Sequence, residues 1–323
     1  MTTFMLALVA CLAVYCTTRV LGAKDDFYVN ITILESATAQ GAVCLDGSPP
    51  AYHLDRGHGT GLHNWIINLD ENKLYFRGAR IFKAIMEDLW SKGMKNAENA
   101  ILSGTSAGGL ATILNCDKFK CLFTKDARVK CVADAGFFIN GKTIYGTSYI
   151  QEMFRKIVNL HGSTKNLPSP CTSVMKPSLC FFPQNVIPYI QTPLFIINSI
   201  YDYWQINNTL VPVNLDPQHA WKDCTEQINN CTFSQRIVIQ AFGMEFLKTF
   251  EKLPPSFTRG YYLTSCFSHG DLYKSAYWFS ASSPRLLNKT IAEAVADWYF
   301  ERERFQFIDP YPCAKDCKLS KGS

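Results

Sequence analysis

The segment ILSGTSAGGLATILNCD, residues 101–117, constrains the fold more than any other part of this chain. An apolar run leads into Gly104, Ser106 and Gly108, and a second apolar run follows, so a G-x-S-x-G pattern lies between a predicted strand and a predicted helix. Glycine and serine also form ordinary turns, but glycines on both sides of a serine let two backbone segments approach closely at a tight corner. The pattern therefore predicts a nucleophile elbow, with Ser106 as the nucleophile and the N–H of Ala107 directed at a developing oxyanion.

Strand-length and helix-length apolar patterns alternate along the rest of the chain. The 323 residues are 47% hydrophobic, which is enough for a substantial core, and no linker or repeat divides them. Alternation of this kind predicts a single α/β domain with a mostly parallel sheet flanked by helices and with ligands at the carboxyl ends of the strands. The predicted strands are 64–69, 97–104, 129–138, 192–200 and 260–267, and the predicted helices are 80–93, 149–160, 235–250 and 290–305.

A nucleophilic serine needs a histidine that accepts its proton and a carboxylate that orients the histidine. In this fold class the acid and then the histidine follow the serine along the chain. Asp202 comes directly after the apolar run TPLFIINSIY and His269 comes directly after GYYLTSCF, so we predict these two as the partners. His219 lies in a polar loop and is expected to be solvated, Asp134 is expected to line a pocket or to be a buried structural carboxylate, and Asp271 stays open as an alternative acid.

The first residues are typical of a protein that is exported. Residues 1–23 contain an apolar run and end in Gly22-Ala23, which predicts a signal peptide followed by a mature domain over 24–323; a membrane anchor helix is the alternative. The apolar run is shorter than the ~20 residues that span a bilayer, so we expect no stable membrane association. Four N-x-[ST] sequons agree with a secreted glycoprotein, namely Asn30, Asn207, Asn230 and Asn288.

The cysteine content favours an oxidising compartment with disulfide bonds. The chain has 13 cysteines without a tight zinc-binding spacing. Removal of a signal peptide leaves an odd number, so one mature cysteine lacks an intrachain partner. Short spacings suggest Cys171 with Cys180 and Cys224 with Cys231. The formal charge of +5 is modest, which suits either a polyanion or ordinary solubility, and no basic run suggests nucleic-acid binding.

Several stretches together resemble the plant pectin acetylesterase family, whose relatives include the animal Notum-like carboxylesterases. The matching segments are CLDGSPPAYHLDRGHGTGLHNW, NKLYFRGARIF, NAILSGTSAGGLATILNCD, DAGFF, PLFIINSIYDYWQI, SCFSHGD and AVADWYF. The resemblance implies an α/β-hydrolase-like serine esterase of the plant cell wall that removes acetyl groups from pectin (homogalacturonan), with Ser106, Asp202 and His269 as its triad. It implies no metal and no cofactor, and we expect a monomer with acetylated pectin as its partner.

Two departures from the family pattern stand out. Family members usually have Cys before the serine where this chain has Thr105, a change that leaves the turn workable. In the family, the strand that matches NWIINL also runs into a Gly-Gly-Gly-Trp loop and several dozen further residues, whereas here Leu69 is followed directly by Asp70-Glu71-Asn72. The glycine loop supplies the second oxyanion N–H in α/β-hydrolases, so an internal deletion at this point removes it. The family pattern also places the disulfide partner of Cys44 in the absent segment, which makes Cys44 the candidate orphan thiol.

Three functions are therefore open from the sequence. The first is a secreted pectin acetylesterase that acts through an acyl-enzyme. The second is a catalytically impaired form, for instance a splice form, that lacks the oxyanion loop and at most binds pectin. The third is a Notum-like lipid deacylase with the same nucleophile and base, which the width of the pocket would distinguish.

Overall fold

A computed structural model describes residues 29–44, 46–69, 78–270, 278, 283–310, 314, 315 and 317 of the chain. The predicted signal peptide, residues 1–23, lies outside the described residues. So do Asp271, the alternative acid, and Cys313.

A six-stranded parallel sheet forms the centre of the protein, and a two-stranded antiparallel sheet precedes it. The small sheet pairs β1 (Ile31–Ile33) with β2 (Ala51–His53). The sheet strands lie in chain order, so that each pairs with the next along the sequence. They are β3 (Asn64–Leu69), β4 (Asn99–Thr105), β5 (Arg128–Asp134), β6 (Leu194–Ser199), β7 (Arg259–Thr264) and β8 (Gln306–Ile308). The predicted α/β class and the mostly parallel sheet are confirmed.

Five longer helices among the described residues cover the sheet. They are α1 (Gly78–Ser91), α2 (Ala107–Lys120), α3 (Tyr149–Leu160), α4 (Phe233–Glu251) and α5 (Ile291–Tyr299). Side chains of α1, α2 and α4 share one apolar cluster with alternate residues of β5 and β6, and α5 packs in a second cluster with the intervening residues. Because successive strand residues point to opposite faces, the sheet is covered on both sides. α5 begins with a capping box, in which Thr290 and Glu293 each bind the other's backbone N–H.

The predicted strand 129–138 is too long, because β5 ends at Asp134. The chain then turns sharply through Ala135, whose φ is 47°, and Gly136. A Cβ on Gly136 would lie 2.4 Å from the backbone of Gly109 in α2. The apolar residues after Asp134 therefore form a buried loop that packs against the first turn of α2, and not a continuation of the strand.

The described residues contain four disulfide bonds. The two predicted pairs, Cys171–Cys180 and Cys224–Cys231, are present. The other two are Cys116–Cys131, which joins α2 to β5, and Cys266–Cys317, which ties the polar C-terminal segment to the end of β7. Cys44 is a free, buried thiol, as the family pattern implied, and Cys121 is a free, exposed one.

Among the described strands, none pairs with the outer edge of β3. Its side chains alternate between exposed and half-buried, and Ile66 is 71% exposed. This strand ends at the point where the family pattern places the absent segment. Among the residues that the structure describes, no helix is both long and apolar enough to span a bilayer.

Candidate active site

Ser106 occupies the tight turn between β4 and α2. Its backbone has φ 60° and ψ −123°, a conformation that non-glycine residues rarely adopt, and its N–H donates to the carbonyl of Asp134 at 2.9 Å. A Cβ on Gly104 would lie 2.5 Å from the backbone of Gly108, and one on Gly108 would lie 2.0 Å from the carbonyl oxygen of Leu69. The two glycines are therefore required for the strand, the turn and the helix to pack at this spacing.

Three side chains that are far apart in the sequence form one hydrogen-bonded chain. The Oγ of Ser106 lies 2.8 Å from Nε2 of His269, and Nδ1 of the same ring lies 2.7 Å from Oδ2 of Asp202. The carboxylate can only accept, so the proton is on Nδ1 and the neutral ring accepts from the serine hydroxyl through Nε2. This is the order of contacts that activates a serine for attack on an ester.

Each member of this hydrogen-bonded series follows the carboxyl end of a strand of the same parallel sheet. Ser106 follows β4, Asp202 follows β6 and His269 follows β7. Asp202 is fully buried and caps the short helix Tyr203–Gln205, since its Oδ1 accepts from the N–H of Gln205 at 3.0 Å. The sheet and this cap hold the carboxylate on one side of the imidazole, while the serine turn approaches from the other.

Aromatic side chains fix the plane of the His269 ring. Trp204 stacks on it with centroids 6.0 Å apart and 22° between the planes, Tyr203 meets it edge-on at 5.7 Å, and Phe138 lies 6.4 Å away. The side chain of His269 is 10% exposed. The ring is thus held in position, and only a small part of it is exposed.

Two buried amides, which the sequence analysis did not single out, hold the loop after β5. The side chain of Gln205 accepts from the N–H of Ile139 at 3.0 Å and donates to the carbonyl of Phe137 at 3.2 Å. The Oδ1 of Asn198 accepts from the N–H of Phe137 at 3.1 Å. Because Gln205 also supplies the N–H that binds Asp202, this residue connects the acid to the loop that carries Phe138.

The sequence analysis did not choose His219 or Asp134 as partners of Ser106. In the structure, His219 lies away from the hydrogen-bonded series and Asp134 lies behind it. His219 is exposed in a turn with φ 55°. Asp134 is 1% exposed and accepts from the hydroxyl of Thr105 at 3.1 Å, so it is a buried carboxylate beneath the serine turn. Thr105 leaves the turn intact, as expected.

A broad cleft of about 2240 Å³ opens in front of Ser106. Apolar side chains form its floor, and these are Leu110, Leu114, Phe138, Met153, Phe154, Ile157 and Trp204. The strand β3, the loop after β2 and the helix α1 form its rim. His161 also lines the cleft, and burial lowers the pKa of its imidazole below the ordinary value. Within the described ranges, no group of three or more His, Cys, Asp or Glu side chains is arranged to hold a metal ion.

Comparison with known proteins gives the fold and the family. The structure is similar to that of the Wnt deacylase Notum from Drosophila, with a TM-score of 0.70, 16% identity and coverage of 89% of this chain and 98% of that one. This likeness confirms the α/β-hydrolase-like fold. Pectin acetylesterase 11 and pectin acetylesterase 7 of Arabidopsis thaliana are 41% and 40% identical to this chain, over 90% of it and 91% and 92% of their own lengths.

The same comparisons support the internal deletion. The alignment with pectin acetylesterase 11 runs over 360 positions while it covers 90% of a 323-residue chain, so the relative has several dozen residues without a counterpart here. The Pectinacetylesterase family model matches residues 22–71 and then 69–318, and the break falls directly after β3. The two matches together span most of the sequence, and the chain belongs to the pectin acetylesterase family, a family of carboxylic ester hydrolases.

Proposed function

We propose that this protein is a secreted serine esterase that hydrolyses acetyl esters of pectin in the plant cell wall. The observation that carries the proposal is the hydrogen-bonded series Ser106–His269–Asp202 in a chain of the pectin acetylesterase family. The disulfide bonds among the described residues suit an extracellular location. A single chain supplies all three side chains, so a monomer is sufficient for the reaction.

The reaction proceeds in two steps. Ser106 attacks the acetyl carbonyl while Nε2 of His269 takes the hydroxyl proton, and the same nitrogen returns that proton to the departing sugar oxygen. Water then attacks the acetyl-enzyme with His269 again as the base, and this releases acetate and the free serine. Asp202 keeps the proton on Nδ1 and stabilises the imidazolium that forms in each step.

This chain should stabilise the oxyanion less well than relatives that have the glycine loop. Ala107 is the first residue of α2, and its N–H is the donor that we assign to the oxyanion. The second donor belongs to the glycine loop that is absent after Leu69. Loss of one such donor lowers turnover by about 10² to 10³, so we expect slower hydrolysis than in relatives that have the loop.

Acetate release from acetylated homogalacturonan tests the proposal. The expected result is release by the wild-type protein and loss of it in Ser106→Ala, which keeps the fold but has no nucleophile. Insertion of the absent segment from a relative should raise turnover. Equal acetate release by wild type and Ser106→Ala would contradict the assignment.

The absent segment also favours a second candidate, a pectin-binding protein without turnover. Such a protein would bind acetylated homogalacturonan but release no acetate until the segment is restored. The apolar floor of the cleft favours a third, a deacylase for long-chain esters. Turnover of a 4-nitrophenyl ester series from acetate to palmitate separates the last two candidates from the first.

Export of the protein follows from the same proposal. We propose that residues 1–23 are removed as a signal peptide from a mature domain over 24–323. Asn30, Asn230 and Asn288 are exposed, whereas the side-chain amide of Asn207 donates to the carbonyls of two neighbouring residues. Glycans are therefore expected on the first three, and the masses of glycosidase-treated peptides would identify them.

A further inference from the structure

The rim of the cleft has a strong excess of positive charge. Five cationic side chains line it against the single carboxylate of Asp55, counted over the residues that the structure describes. They are Arg56, Arg80, Lys83, Lys92 and Lys165. The whole chain has a formal charge of only +5, so positive charge is concentrated around the cleft.

Two of these cations already have acidic partners outside the cleft. Lys83 pairs with Glu87 at 3.0 Å, and Lys92 pairs with Asp88 at 2.9 Å. The other three, Arg56, Arg80 and Lys165, are exposed and have no carboxylate partner among the described residues. We refer to these three as the basic rim.

The basic rim comes from three separate elements. Arg56 follows β2, Arg80 lies in the first turn of α1 and Lys165 lies in the turn after α3. Ser106 lines the same cleft, so a chain bound along these elements occupies the cleft that contains the nucleophile. Cations that lack partners around a cleft raise the local concentration of an anionic ligand and hold its register.

Homogalacturonan offers one carboxyl group for each sugar, and methyl esterification removes its negative charge. We propose that the basic rim binds free galacturonate carboxylates on either side of the acetylated sugar. This inference depends on the proposed function and defines its substrate: acetylated pectin whose neighbouring sugars are not methyl-esterified. The reaction that supplies this substrate is therefore hydrolysis of galacturonate methyl esters.

A charge-matched pair of triple variants tests the inference. The first, R56Q/R80Q/K165Q, removes the basic rim, and the second, K125Q/K222Q/K252Q, removes three exposed lysines outside the cleft lining. Acetate release is measured on acetylated homogalacturonan of low and of full methyl esterification, and each kcat/KM is divided by that for 4-nitrophenyl acetate. The salt is set at about 20 mM and about 200 mM, which spans weak and strong screening.

At low salt, the wild type should show about a tenfold higher ratio on the low-methyl substrate, since three exposed ion pairs are worth roughly that factor together. The preference should be lost in the basic-rim variant, kept in the lysine control and reduced by the higher salt. Equal ratios on the two pectins for the wild type, or equal losses in the two variants, would overturn the inference.

Binding distinguishes this inference from the proposed function. Ser106→Ala protein is titrated with galacturonate oligomers and with their methyl esters, so the result does not require turnover. Tighter binding of the free acid that depends on the basic rim supports the inference even if the wild type releases no acetate. Acetate release together with equal binding of the two oligomers supports the esterase and refutes the role of the rim.

Discussion

Replacement of Gln205 by leucine should destabilise the protein and slow the esterase. The side chain is fully buried, and its amide pairs with the N–H of Ile139 and the carbonyl of Phe137. Leucine has similar bulk but no polar atoms, so both backbone groups lose their partners. An unsatisfied buried group costs about 1–3 kcal/mol, so the two groups together should lower the free energy of unfolding by about 2–6 kcal/mol.

Urea denaturation followed by circular dichroism measures this loss from the midpoint at constant slope. Gln184→Leu is the matched control, because Gln184 is only half-buried and binds one N–H of the same loop, that of Asn140, at 3.0 Å. We expect about 1 kcal/mol for the control. Turnover of 4-nitrophenyl acetate should fall in Gln205→Leu beyond the loss of folded protein, since the freed loop carries the phenylalanine that lies against His269. A loss no larger than that of the control would refute this reasoning.

The remaining predictions concern the serine turn and α5. Gly108→Ala places a methyl group about 2.0 Å from the carbonyl oxygen at the end of β3, so it should abolish turnover and lower the urea midpoint. Gly61 has no atom within 4 Å of a built Cβ and no positive φ, so Gly61→Ala should keep full turnover. Lys130 is 3% exposed and donates to the last carbonyls of α5, including that of Tyr299 at 2.8 Å. Lys130→Met should lower the free energy of unfolding in urea by about 2 kcal/mol. A change below about 0.5 kcal/mol would contradict this capping role. The hydrogen bond from Lys289 is the main cause that lowers the pKa of Asp297 below 3.8. The stability difference between wild type and Asp297→Asn should therefore be complete at neutral pH and disappear as acid protonates the carboxylate, and a difference that persists in acid would contradict it.

The central strands and the meeting of Ser106, Asp202 and His269 could be predicted from the sequence because each has a strong local signal. Apolar runs of strand length precede Asp202 and His269, and the glycines around Ser106 permit only a tight corner. The order of parallel strands then requires these positions to lie along one edge of the sheet.

Other features had no comparable signal. The strands β1, β2 and β8 contain three residues each, which is too short for an alternating pattern to be recognised. The pairing of Cys266 with Cys317 could not be deduced, since spacing does not determine connectivity across 51 residues. The roles of Gln205 and Asn198 depend on which backbone groups the fold leaves unpaired, and that information exists only in three dimensions.

The contact between Leu69 and Gly108 has a wider consequence for how this scaffold varies. The last carbonyl of β3 lies against Gly108 in the first turn of α2, so the end of β3 is close to Ser106. Insertions or losses at this junction therefore reshape the cleft beside Ser106, while the strands that position Ser106, Asp202 and His269 are unchanged. Insertion or loss of residues after Leu69 can thus alter both the rate and the substrate selectivity of hydrolysis, while Ser106, Asp202 and His269 stay the same.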